Sequence, residues 1–93
     1  MSTKLVGPVV RDNEMAEALI AAIEQDNPDV ELYVDDRGGY IRIHTEQYCR
    51  VTRKSLEAAL GRSFPLSQIE PALATFAGRI RSGDEEIVWY LEN

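Results

Sequence analysis

The chain of 93 residues holds one cysteine, Cys49, and one histidine, His44. A single cysteine closes no internal disulfide, and without a cysteine pair or a Cys/His cluster there is no ligand set for structural zinc. Long apolar runs are missing too. A membrane helix needs roughly 18 apolar residues in a row, and residues 1–5 lack the apolar centre of a secretory signal, so the cytoplasm is the expected compartment. Basic residues are outnumbered: ten Lys and Arg stand against sixteen Asp and Glu, for a net charge of -6. Phosphate backbones are bound through Lys and Arg, which argues against a nucleic-acid partner and for a basic or amphiphilic protein surface. Walker, dinucleotide-binding and G-x-S-x-G motifs are all absent.

What is present is an ordinary globular balance, 44% hydrophobic and 28% charged. It suits one domain spanning residues 1–93, with a disordered start over 1–5. Val6-Gly-Pro-Val-Val-Arg11 is β-branched and contains a proline, which predicts an edge strand because proline donates nothing to a ladder. Asp12 or Asn13 can cap a helix whose apolar stripe is Met15, Ala18, Leu19, Ala22 and Ile23, ending at Asn27-Pro28. Alternation over Val30 to Val34 and again over Tyr40 to His44, around Gly38-Gly39, predicts a hairpin. Val30, Leu32 and Val34 form one apolar face, and Ile41 and Ile43 another. The line continues to Val51 after a bend or bulge near Glu46-Gln47.

Thr52 can cap a second helix carrying Leu56, Ala59 and Leu60, with Gly61 as its stop. A third helix is expected from about Pro65 to Ala77, burying Ile69, Leu73 and Phe76. The last segment, Arg79 to Leu91, divides into two strands around Ser82-Gly83-Asp84, with Ile87, Trp89 and Leu91 on one face. The fold class is therefore α+β, a single domain with a mostly antiparallel sheet and about three helices, in the order β-α-β-β(-β)-α-α-β-β.

The chemical constellations are thin. His44 and Glu46 share a strand face, and Asp35 or Asp36 lies across the turn. A transition-metal site with one imidazole would need two or three converging carboxylates held by outer hydrogen bonds, and spacing alone does not build that. Cys49 is five residues from His44, which places them on opposite strand faces and favours a buried structural thiol over a nucleophile. The glycines supply positive φ for the hairpin rather than a phosphate cradle. Arg50, Arg53 and Lys54 gather at the start of the second helix, unfavourably for its dipole. Arg37, Tyr40, Arg42, Tyr48 and Arg50 fall on polar faces, and arginine and tyrosine are enriched where proteins bind each other. That composition points to a binding module, without catalytic residues, metal or other cofactor.

Val6-Gly-Pro-Val-Val-Arg11, Asp26-Asn-Pro28, Val34-Asp-Asp-Arg37 with Tyr40-Ile-Arg-Ile43, Leu60-Gly-Arg-Ser-Phe64 and Phe76-Ala-Gly-Arg-Ile80 occur in this order. Together they resemble the coupling, or effector, proteins of bacterial soluble diiron multicomponent monooxygenases, the MmoB/DmpM family. The Val-Gly-Pro start and Thr52-Arg-Lys54 are most similar to the branch serving four-component aromatic or alkene monooxygenases. The resemblance implies a cofactor-free protein that docks on the hydroxylase α subunit above its diiron centre and couples NADH and O2 use to substrate oxidation. It further implies a working system with a ferredoxin and an NADH-dependent reductase. Asn27, Asp36, Arg37, Tyr40 and Arg42, with Phe76 and Arg79, are the residues expected at or behind that contact. Two departures are visible: a start too short for the mobile tails of some relatives, and the double glycine in the hairpin. A stand-alone ferredoxin-like regulatory or small-ligand-binding domain is the alternative.

Overall fold

A computed structural model of the chain describes residues 4–92. The first strand, β1 (Leu5–Val10), leads into α1 (Asn13–Asp26), where the Asp12 carboxylate accepts the Glu14 amide at 3.0 Å as an N-cap. Met15, Ala18, Leu19, Ala22 and Ile23 are all buried, the stripe expected from their spacing. Strands β2 (Tyr33–Asp36) and β3 (Ile41–Glu46) form the hairpin, and β4 (Tyr48–Thr52) follows at once. Thr52 caps α2 (Arg53–Leu60) by accepting the Ser55 amide, and Gly61 ends it in the left-handed region at φ 75°. A 3-10 turn (Leu66–Gln68) and α3 (Ile69–Ala72) precede β5 (Leu73–Ala77), β6 (Arg79–Ser82) and β7 (Glu86–Tyr90).

All pairings are antiparallel and build two sheets, ordered β2-β3-β1-β5 and β4-β7-β6. The sheets meet at two corners. Chain direction changes at Gln47, the one non-glycine residue with positive φ among those described (66°), and at Gly78 (90°). At the first corner Gln47 donates its amide to the Lys4 carbonyl, accepts from the Leu91 amide, and the buried Thr45 hydroxyl donates to the Tyr48 carbonyl at 2.6 Å. The inward phase survives the bend, with Ile41, Ile43 and Thr45 buried on one side of it and Cys49 and Val51 on the other. Ile41, Ile43, Cys49 and Val51, Trp89 and Ile87 of the second sheet, and the stripe of α1 form one apolar cluster, closed by Leu56, Phe64, Leu66 and Ile69.

Several expectations are corrected. β1 is an interior strand, not an edge. Its ladder to β3 is registered at Leu5, Val6, Val9 and Val10 and skips Gly7 and Pro8, which is how an interior strand tolerates a residue without a donor. The third helix stops at Ala72, and Leu73 to Ala77 are extended instead, because the second edge of β1 recruits them as β5. Thr75 and Phe76 are strand formers, so local preference agrees with the tertiary demand. Phe76 is exposed rather than core. β2 begins only at Tyr33, and Val30 and Val34 are exposed. Leu91 is also exposed and lies beyond β7. Of the start expected to be disordered, residues 1–5, the first three lie outside the described residues, and Leu5 belongs to β1.

Candidate docking surface

Opposite residues of antiparallel strands point to the same side of a sheet, so the register defines what the outer surface presents. On the first sheet one row is Asp35, Arg42, Val9 and Thr75, and the next begins with Tyr33 and His44. Val9 is buried but stands apart from the core cluster, as an outer-face residue covered by its neighbours would.

The hairpin end is built by short-range hydrogen bonds. The Arg37 amide donates to the Tyr40 carbonyl at 2.8 Å, and the Asp36 carboxylate accepts the Gly38 amide at 2.9 Å. Gly38 and Gly39 both have positive φ, 67° and 139°, so the double glycine is the residue pair this turn requires. Arg37 pairs with Asp35 at 2.7 Å in an exposed bridge that raises the guanidinium pKa through hydrogen bond and charge. The Arg11 guanidinium lies over the Tyr40 ring, 5.1 Å from its centroid, and donates to a Tyr40 hydroxyl 3.3 Å away. Four expected residues, Asp36, Arg37, Tyr40 and Arg42, are thus brought together on the hairpin, all exposed. Arg11 is a neighbour that sequence reading missed; it directly follows β1, whose Val10 pairs with Ile41 beside this turn.

The remaining three lie elsewhere. Phe76 is exposed on β5 opposite Pro8, and Arg79 is on β6 of the second sheet, paired with Glu92 at 3.1 Å. Asn27 is the C-cap of α1, and its amide group is occupied internally: Nδ2 donates to the carbonyls of Ile23 and Arg50, each at 2.7 Å, while Oδ1 accepts the Arg50 amide. It supports a surface rather than presenting one.

His44 departs from the exposed polar face expected of it. It is only 8% exposed, and among the described residues its Nε2 has no hydrogen-bond partner. Space for the ring comes from Gly7, where a Cβ would sit 3.0 Å from His44 Cδ2. Burial lowers the imidazole pKa, with Arg42 adding to the effect and Asp35 opposing it, so the ring is neutral at pH 7. Among the described residues no cluster of three His, Cys, Asp or Glu side chains is placed to hold a metal ion. Cys49 is fully buried, and burial pushes its thiol up to about 11, the range of an inert structural cysteine.

Between α1 and α2 runs an open groove of about 780 Å³, lined by Ala21, Asp26, Arg50, Lys54, Ser55 and Ala59 among others. Its central carboxylate is already committed, since Asp26 accepts from the Thr52 amide and hydroxyl and from the Ser55 hydroxyl. The groove is therefore the seam where α1 is fastened to the β4–α2 junction.

The pattern of the MmoB/DmpM family matches residues 4–90. The chain is 50% identical over 93 residues to the alkene monooxygenase system effector subunit of Xanthobacter autotrophicus strain Py2, covering 100% of this chain and 92% of that one. It is 29% identical over 91 residues to the phenol 2-monooxygenase stimulatory component DmpM of Pseudomonas sp. strain CF600, covering 98% and 99%. In solved structures, a chain of a phenol hydroxylase–regulatory protein complex superposes with a TM-score of 0.78 at 27% identity, over 95% of this chain and 99% of the other. Regulatory protein B of soluble methane monooxygenase gives 0.71 at 20% identity, over 99% and 68%, a likeness of fold alone. With its family pattern running from the start of β1 to the end of β7 and a full-length relative identical at half of all positions, the chain belongs to the MmoB/DmpM family.

Proposed function

We propose that this protein is the non-catalytic effector component of a multicomponent monooxygenase acting on an alkene or aromatic hydrocarbon. The observation that carries the reading is the 50% identity, over 100% of this chain, to an alkene monooxygenase effector subunit. In this reading it binds the α subunit of a diiron hydroxylase in the cytoplasm, close to the active site, and works alongside a ferredoxin and an NADH-dependent reductase. The surface supports that role. Its exposed arginines and tyrosines on a well-braced hairpin are suited to grip a protein, and its one histidine is walled in rather than presented to substrate.

An effector with no chemistry of its own acts by binding one hydroxylase conformation better than another, and equal affinity for both would shift nothing. A tenfold preference moves that balance by about 1.4 kcal/mol. Asp36, Arg37, Tyr40 and Arg42, with Arg11 beside them, form the proposed contact; Phe76 extends it along β5, and Asn27 braces the scaffold behind it. The alternative of a stand-alone ferredoxin-like ligand-binding domain has only fold analogy behind it.

Reconstitution tests the proposal. Titrating the protein into its cognate hydroxylase, ferredoxin and reductase should raise the turnover rate and the product formed per NADH consumed, with saturation at a fixed ratio to hydroxylase. Unchanged rate and unchanged coupling would refute it.

A further inference from the structure

The outer face of the second sheet carries a surface the hairpin does not account for. Register places Tyr48, Tyr90 and Arg79 in one row and Arg50, Val88 and Arg81 in the next. Val88 is 1% exposed yet stands outside the core cluster, and its register neighbours on either side are Arg50 and Arg81. Two of the three arginines have carboxylate partners, Arg50 with Glu86 at 2.5 Å and Arg79 with Glu92 at 3.1 Å, and both bridges are well exposed to water. Arg81 has no carboxylate within ion-pair distance among the described residues; its guanidinium instead lies 5.8 Å from the centroid of the Tyr90 ring. A chain of net charge -6 therefore turns one face of three arginines, two tyrosines and two acids outward.

We infer that this face is a second docking surface, which takes a carboxylate-bearing strip of the same hydroxylase. Arg81 supplies the free guanidinium fork, and Tyr48 and Tyr90 supply flat contact area beside it. The inference rests on the effector reading and extends it. Its second support is continuity: although His44 is buried, Arg42 and Glu46 on β3 and Gln47 and Tyr48 at the corner are exposed and lead to Arg50 on β4, so the outer faces of the two sheets adjoin there and one partner can reach both. An acidic strip is the complementary occupant, because a basic one would meet Arg81 with like charge.

The test is the affinity of the protein for its hydroxylase over a range of NaCl concentrations, with parent, Arg81→Glu, Arg81→Lys and Tyr48→Ala. Arg81→Glu should weaken binding by about tenfold or more and flatten the salt dependence. Arg81→Lys should keep most of the salt dependence, and Tyr48→Ala should weaken binding without altering it. Circular dichroism on each variant separates these effects from misfolding, and Tyr48→Ala reads the same face if a charge-reversed variant is lost. If the parent binds and stimulates while Arg81→Glu and Tyr48→Ala bind as it does with the same salt slope, the second surface is refuted. If the parent neither binds nor stimulates, the effector reading itself fails and this inference falls with it.

Discussion

Asn27 and Arg50 exchange two hydrogen bonds between their side chain and main chain, Nδ2 to the Arg50 carbonyl at 2.7 Å and the Arg50 amide to Oδ1 at 3.2 Å. The pair fastens the last turn of α1 to the middle of β4. It also explains why an asparagine ends this helix: a residue with one amide donor group and one carbonyl acceptor can mimic a strand neighbour while capping the Ile23 carbonyl. The Arg50 side chain, thus held, reaches the outer face and its bridge to Glu86.

Replacing Asn27 with Ala strands the Arg50 amide and carbonyl in a part-buried seam. The expected loss is about 2–6 kcal/mol of folding stability, at about 1–3 kcal/mol for each of the two unsatisfied groups. Asn27→Asp should be nearly as damaging, because it sets a carboxylate against two carbonyls. Urea unfolding followed by circular dichroism measures both, and a variant within error of the parent would show that the seam carries no such load.

Gly7 and Gly38 both have positive φ and predict opposite tolerance. A Cβ at Gly7, where φ is 146°, would fall 2.2 Å from the Ile43 carbonyl oxygen, so Gly7→Ala should unfold the protein or cost upward of about 3 kcal/mol. Nothing lies within 4 Å of a Cβ at Gly38, whose φ of 67° is the ordinary left-handed region. Gly38→Ala should cost only about 1 kcal/mol, and Gly38→Asn less. Thermal midpoints of the three variants decide the order.

On the hairpin, Arg42→Ala and Arg37→Ala should leave the unfolding midpoint at the parent value, because both side chains are solvent-exposed and the Arg37–Asp35 bridge is a surface pair. Each should nevertheless weaken hydroxylase binding by about tenfold if truncation removes an anchoring contact. Equal stability together with equal affinity in both variants would move the contact off the hairpin.

His44 gives a pH dependence whose sign follows from burial. Its folded pKa is lowered from 6.5, so below that pH the unfolded chain binds a proton more readily than the folded one. The stability it contributes is complete above the unfolded value and is lost as pH falls from about 6.5 toward the folded value. Urea midpoints measured between about pH 5 and pH 8, the span that brackets an imidazole, should fall on the acid side in the parent. They should fall less in His44→Gln, and parallel profiles would contradict the assignment.

Most of the local architecture could be read directly because its signals are local. The Asp12 and Thr52 caps, the α1 stripe, the Gly38-Gly39 turn and the Gly61 stop each involve residues within a few positions of one another. The misreadings share the opposite character. Pro8 reads as an edge residue until the skipped ladder positions are seen, and Leu73 to Ala77 read as helix until β1 is known to have an open side. His44 reads as a surface residue because its cover depends on Gly7, which lies 37 positions away, roughly the scale at which strand contacts leave no periodic trace. The same reasoning governs the candidate surface: the hairpin residues are sequence neighbours and were found together, whereas Arg11 and Arg81 join it only through strand pairing.

The placement of β1 between β3 and β5 has a kinetic consequence. Residues 5–10 are synthesised well before their second strand partner, residues 73–77. Until then the β1–β3 ladder can form but keeps an open backbone edge, an invitation to pairing with another chain. Completion of the first sheet is therefore expected to be slow for a domain of this size, because its closing contact joins segments far apart in the chain. Pulse-labelled hydrogen exchange would show the β5-facing amides of β1 protected later than those of α1.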